Sequence, residues 1–175
     1  MAYLRKTLGR PDAPYVQSLM ALMQTQSKAT LIRWCVAYAR ENVLPIYERA
    51  YSADGRPRQA LDAAEAWLRG TLQFPLARKL ILQAHAAARE AANHPAAQAA
   101  ARAAAQAASS IHVPSHALGL AFYGAAAVAY DRLGLGEPAA AYEGIAAAYI
   151  SDMEAALRKA AVPNEPNPAR IVWHF

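Results

Sequence analysis

His112 and His116 stand four residues apart in the stretch SSIHVPSH, a spacing at which two imidazoles on one helix face can hold a metal ion. Pro114 lies between them, so His112 should precede the helix that contains His116, and the segment offers no Asp or Glu as third ligand or general base. The preferred reading is that His112 packs or caps at a helix start while His116 hydrogen-bonds in the interior; metal binding by the pair is the lesser alternative, on spacing alone. His85 and His94 are isolated from one another and could titrate near neutral pH without further chemistry. Local spacing assembles no nucleophile, histidine and carboxylate, and the eight glycines form no phosphate-binding loop. The one cysteine, Cys35, sits between Trp34 and Val36; it excludes an intramolecular disulfide, points to a reducing compartment and reads as a small buried hydrophobe. No cofactor is expected.

A second set of chemically able residues surrounds SADGRPRQ. Arg56 and Arg58 flank Pro57 where a helix should begin, although the positive end of the helix dipole disfavours cations there. Glu41, Glu48 and Asp54 are the carboxylates in reach along the chain. Arginine and carboxylate pair in a bidentate fork, which would fix the angle between two helices as well as neutralise charge. The expectation is a clamp in which Arg56 or Arg58 ties the helix anchored by Trp67 to Glu41, Glu48 or Asp54. Direct contact with a partner is the alternative role for these residues.

The elements that must position these groups are helices, since Ala, Leu, Glu, Arg and Gln dominate and β-branched residues are sparse. Pro14 to Gln26 places Val16, Leu19, Met20 and Met23 at helical spacing. Ser27 can cap a helix starting at Lys28, which Pro45 should kink or restart. Asp54-Gly55 is a turn, and Leu61, Ala64, Trp67 and Leu68 form a stripe that stops at Gly70. Further helices are expected from about Pro75 to Asn93, from Ala96 to Ala108, through Asp131, and from Ala139 to Ala161. Between Ala84 and Ala108, 16 of 25 residues are alanine, which reads as close helix packing with His85, Arg89, Glu90, Gln98, Arg102 and Gln106 as its wet face. The fold class is all-α: a single domain over 1–175, a bundle of about seven helices over 14–161, with α-solenoid-like stacked pairs as a variant. Residues 162–175 form an extended, proline-rich tail. Its Ile171, Val172, Trp173 and Phe175 are costly to leave in water, so these four should dock on the body, with a second copy or a partner as the alternative.

Apolar residues make up 55% and charged residues 18% of the 175, which suits a folded globular chain. The formal charge is +5, and most of it falls in the first sixty residues, where nine Lys/Arg face four Asp/Glu. Such a front could attract an acidic protein, a membrane surface or nucleic acid. The tyrosines that would stack on bases, Tyr38, Tyr47 and Tyr51, fall among apolar helical residues, so core-edge packing is the preferred reading over nucleic-acid binding. The longest uncharged apolar stretch, Ala117 to Tyr130, is shorter than the roughly 20 residues that span a bilayer, and no signal peptide is evident; a cytoplasmic location and no membrane partner are expected.

The pattern of Trp34 and Cys35 followed by Leu44, Pro45 and Glu48, the Arg56-Pro57-Arg58 helix start with Trp67, and His112 with His116-Ala117-Leu118-Gly119 together resemble a bacterial family of immunity proteins, the immunity-5-like domain. ENVLPIYE is the most distinctive part, and the resemblance runs from about Leu31 to Tyr130. It implies an all-helical cytoplasmic protein that binds and neutralises a cognate toxin without catalysis, and it carries over no catalytic residues. The alternatives are a helical scaffold or adaptor that homo-oligomerises through its tail, an enzyme using His85, His112 or His116, and a nucleic-acid-binding protein.

Overall fold

Ten alanines of one fifteen-residue helix, Pro95–Ser109, are buried, and they determine how the rest of the chain is arranged. In the computed structural model, which describes residues 4–175, eight helices follow in order. They are α1 (Pro14–Met23), α2 (Lys28–Asn42), α3 (Leu44–Ala50), α4 (Arg56–Leu68), α5 (Phe74–Glu90), α6 (Pro95–Ser109), α7 (His116–Leu133) and α8 (Ala139–Ala160). The first three residues of the N-terminal stretch read above lie outside the described residues. Alanine places a single methyl group around α6, so α2, α3, α4, α5 and α7 all pack against it. α8 lies against α1, α2 and α7 on one side. A solenoid would confine contacts to sequence neighbours; here α2 and α6 each touch helices distant in the chain, and the architecture is an all-α single-domain bundle.

The helix boundaries follow the punctuation. Proline occupies the first turn of α1, α3, α4, α5 and α6, where its missing N–H costs nothing. Pro45 restarts the chain fully: α2 ends at Asn42, Val43 leaves helical geometry at φ −120°, and α3 begins at Leu44. This break accounts for eight helices where about seven were expected. Gly70, at φ +76°, closes α4; its N–H reaches the Trp67 carbonyl and that of Thr71 the Ala66 carbonyl, which satisfies carbonyls the helix leaves open.

On α6 the wet face is the Gln98, Arg102 and Gln106 stripe expected from the sequence, one residue per turn, and all three are engaged. Gln98 Nε2 donates to the Ala88 carbonyl at 2.8 Å, the Arg102 guanidinium lies 6.0 Å from the Tyr123 ring centroid, and Gln106 bonds His116. Trp34 and Tyr38 of α2 bind α8, through Nε1 to the Met153 carbonyl at 3.1 Å and through the hydroxyl to Asp152 Oδ2 at 2.8 Å. Cys35 is fully buried beside Ser110, 3.3 Å from its hydroxyl, and burial pushes its thiol up to about 12. Among the described residues no helix is long and apolar enough to cross a membrane.

Candidate functional site

The start of α4 has no carboxylate in its first turn, and its cap, Gly55, has no side chain to offer. Asp54, one residue earlier, supplies what is missing. Its Oδ1 accepts the Arg56 backbone N–H at 3.1 Å, placing negative charge at the positive helix end. The Arg56 guanidinium grips the same carboxylate through Nε at 2.9 Å and Nη2 at 2.7 Å, and the Tyr47 hydroxyl donates to Oδ2 at 2.7 Å. On its other side Arg56 reaches Glu90 in the last turn of α5, Nη2 to Oε2 at 2.6 Å and Nη1 to Oε1 at 3.2 Å. A cation at a helix start and a carboxylate at a helix end are each disfavoured by the dipole; joined, they neutralise one another and lock α4 to α5.

These contacts set the local electrostatics. The Arg56 hydrogen bonds, with those from Tyr47 and the backbone, hold the Asp54 carboxyl well below the usual range against the opposing effect of burial. Arg56 shifts up through Asp54 and Glu90, and burial followed by the Asp54 contact pushes the Tyr47 phenol up. Arg58 forms its own fork, Nε to Glu48 Oε1 at 2.7 Å and Nη2 to Oε2 at 2.8 Å, joining α4 to α3.

Glu41 takes no part. It is exposed at the end of α2 and has no ion pair among the described residues, because the Pro45 break separates its helix from the one that carries Glu48. Its neighbour Arg40 links α2 to α4 instead, through Asp62 at 2.9 Å and Glu65 at 3.1 Å. Trp67 is half-buried at the end of α4, with Lys28 Nζ 5.4 Å from its ring centroid. Glu90, expected on a wet face, and Tyr47, expected at the core edge, were not among the partners expected for the clamp. The adjacent opposite charges Arg89-Glu90 at a helix end were the one local sign that a cation had to come from elsewhere.

His112 and His116 do not form a two-histidine helical chelate: α7 starts at His116, and His112 lies in the turn before it. The His112 ring tilts against Phe74, 5.5 Å between centroids, while His116 Nδ1 and Gln106 Oε1 share a hydrogen bond of 2.8 Å. Among the described residues no three His, Cys, Asp or Glu come together as a metal site. What the structure does bring together is His85, His112 and His116 around one cavity of about 120 Å³, closed by Phe74, Arg78 and Ile81 among others. Burial, then Arg89, His116 and Arg102, push His85 down; burial, then His112, push His116 down. A cavity of about 330 Å³ lies on the other side of the Gln106–His116 pair, against Leu118, Phe122, Trp173 and Phe175. Gly119 permits that pair, since a Cβ there would stand 2.5 Å from Gln106 Oε1.

The tail returns across the start of α2. Glu165 accepts from the Ser27 N–H and hydroxyl, both at 2.7 Å, and from the Thr30 hydroxyl at 2.6 Å, while Ser27 Oγ itself caps the Thr30 N–H. Gln26 adds its carbonyl to the Ala169 N–H at 2.8 Å and its side-chain oxygen to the Val162 N–H at 2.8 Å. Of the four apolar side chains expected to dock, Ile171 and Trp173 are half-buried against the core, whereas Val172 and Phe175 are 66% and 70% exposed. Glu165 was not anticipated; nothing near it in sequence shows that a helix start lies above it.

The geometry defines an all-α bundle in which Arg40, Arg49, Arg56 and Arg58 each tie one helix to another through carboxylates. Residues 21–156 match the family model described as Imm-5 like putative immunity protein, and the chain belongs to that family. No curated protein and no solved structure matches the chain.

Proposed function

We propose that the protein binds a cognate bacterial toxin in the cytoplasm and neutralises it by occupying its active surface, with no catalysis of its own. The observation that carries this reading is the family match across residues 21–156, which spans α2 to α7 and both arginine forks. The forks support it physically: helices held by bidentate pairs present a preorganised surface and lose less freedom on binding. The expected outcome is that co-expression restores growth against a toxin found encoded beside this gene and yields a complex that survives gel filtration. Failure of both outcomes overturns the reading.

One observation favours a second reading, a helical adaptor that self-associates through its tail: Val172 and Phe175 are left exposed. Light scattering decides it. An assembly larger than one chain that dissociates when residues 171–175 are deleted supports the adaptor, and a monomer before and after deletion removes it.

A further inference from the structure

Between Ala66 and Tyr130 the chain carries five Lys/Arg and four His against one acid, Glu90, and Arg56 occupies that acid. Arg78 and Lys79 are exposed on α5 and have no carboxylate partner among the described residues. Arg78 lines the cavity shared by His85, His112 and His116, and no Asp or Glu lines it. Neither the His85 nor the His112 ring has a hydrogen-bond partner among the described residues, and the charges acting on His85 are all positive, from Arg89, His116 and Arg102. Leu82, 49% exposed, lines the same cavity one turn along α5 from Arg78. A hollow that brings together Arg78 and the unpaired His85 and His112 rings, edged by Leu82, is complementary to a carboxylate carried on an apolar surface.

The geometry points to this hollow as the seat of an Asp or Glu side chain of the protein partner, with Arg78 and the His85 and His112 rings as its donors and Leu82 as the apolar contact beside it. This rests on the toxin-binding reading above and names the surface that reading requires. The partner is thus an acidic protein surface with one protruding carboxylate.

Acetate, the carboxylate alone, is the first probe. In NMR titrations the ring signals of His85 and His112 shift to saturation with acetate but not with chloride at equal ionic strength, and the shift disappears in Arg78→Glu. No saturable shift in the native chain overturns the assignment, whatever becomes of the toxin. The second arm measures toxin affinity by calorimetry. Arg78→Glu weakens it about 30-fold or more, as expected when one member of a desolvated charge pair is inverted. Leu82→Asp weakens it as well, while Arg33→Glu, the same charge change at an exposed α2 position, stays within about fivefold, as a rim charge should. Variants that bind within twofold of the native chain leave the toxin reading standing and remove this surface from it. A chain that binds no toxin removes both. Dimerisation without toxin, or capture of random-sequence DNA, that is lost in Arg78→Glu would assign the face to a second copy or to nucleic acid and overturn the proposal.

Discussion

Asp54 carries more of the structure than its neighbours, because four donor groups, from Tyr47 on α3 and Arg56 on α4, meet on one carboxylate. Asp54→Asn keeps the shape and removes the charge, and its expected cost at pH 7 is about 2 kcal/mol in urea denaturation, the range for hydrogen bonds to a charged group. The pH dependence has a definite sign. A carboxyl whose folded pKa is lowered contributes stability above its unfolded value, about 3.9, and loses it as pH falls toward the folded value. The native chain therefore weakens below about pH 4, and the Asp54→Asn variant weakens less over the same interval. Arg56→Lys should not rescue the clamp, since a point charge cannot fork between Asp54 and Glu90. The chain order made Asp54 and Glu48 legible as partners, since they lie two and ten residues from their arginines. Glu90 is 34 residues from Arg56, and only the packing of α5 on α4 brings it there.

At the scale of the helix, proline and capping residues made the element order readable, and alanine concealed how the elements pack. An amphipathic helix announces its buried face by where polar residues are missing. In α6 alanine occupies nearly every direction, so only the Gln98, Arg102 and Gln106 stripe marks an outside, and the number of neighbouring helices is not written locally. Enlarging that helix tests its role. Ala104→Leu has no free space to enter and should cost about 1–3 kcal/mol, the usual penalty for overpacking, read as a lowered urea midpoint. Gly124 in α7 makes a sharper case. Its replacement by Ala gains up to about 1 kcal/mol of helix propensity, yet the new Cβ would meet the Tyr149 hydroxyl and ring at 2.0 and 2.5 Å, inside a fully buried contact between α7 and α8. We expect a net loss near 2 kcal/mol, because steric displacement of a trapped aromatic exceeds the propensity gain.

For the whole molecule, the sequence read as basic at the front, and folding redistributes that charge. Of the nine Lys/Arg in the first sixty residues, Arg5, Arg10, Arg40, Arg49, Arg56 and Arg58 are ion-paired, several with acids from far along the chain, such as Asp131 and Glu143. Lys6, Lys28 and Arg33 keep no ion pair among the described residues, and α5 adds the exposed Arg78 and Lys79. Counting along the chain could not show this, because pairing depends on which helices become neighbours. If α5 steers a partner, raising salt from about 50 to about 500 mM should slow association in stopped-flow measurements, and Arg78→Glu should flatten that dependence.

The tail contact also bears on when the fold can close. Glu165 lies 138 residues beyond Ser27, the turn it completes. During synthesis, α1 and α2 leave the ribosome long before that carboxylate does, and their junction waits with Ser27 and Thr30 bound to water. Non-local closures form late. Glu165 can close that turn only once the chain has been made as far as residue 165, so an unfinished chain lacks this closure. A protease that cuts near Gln26 should separate nascent from mature protein, and Glu165→Ala should leave the mature chain cleavable at the same point.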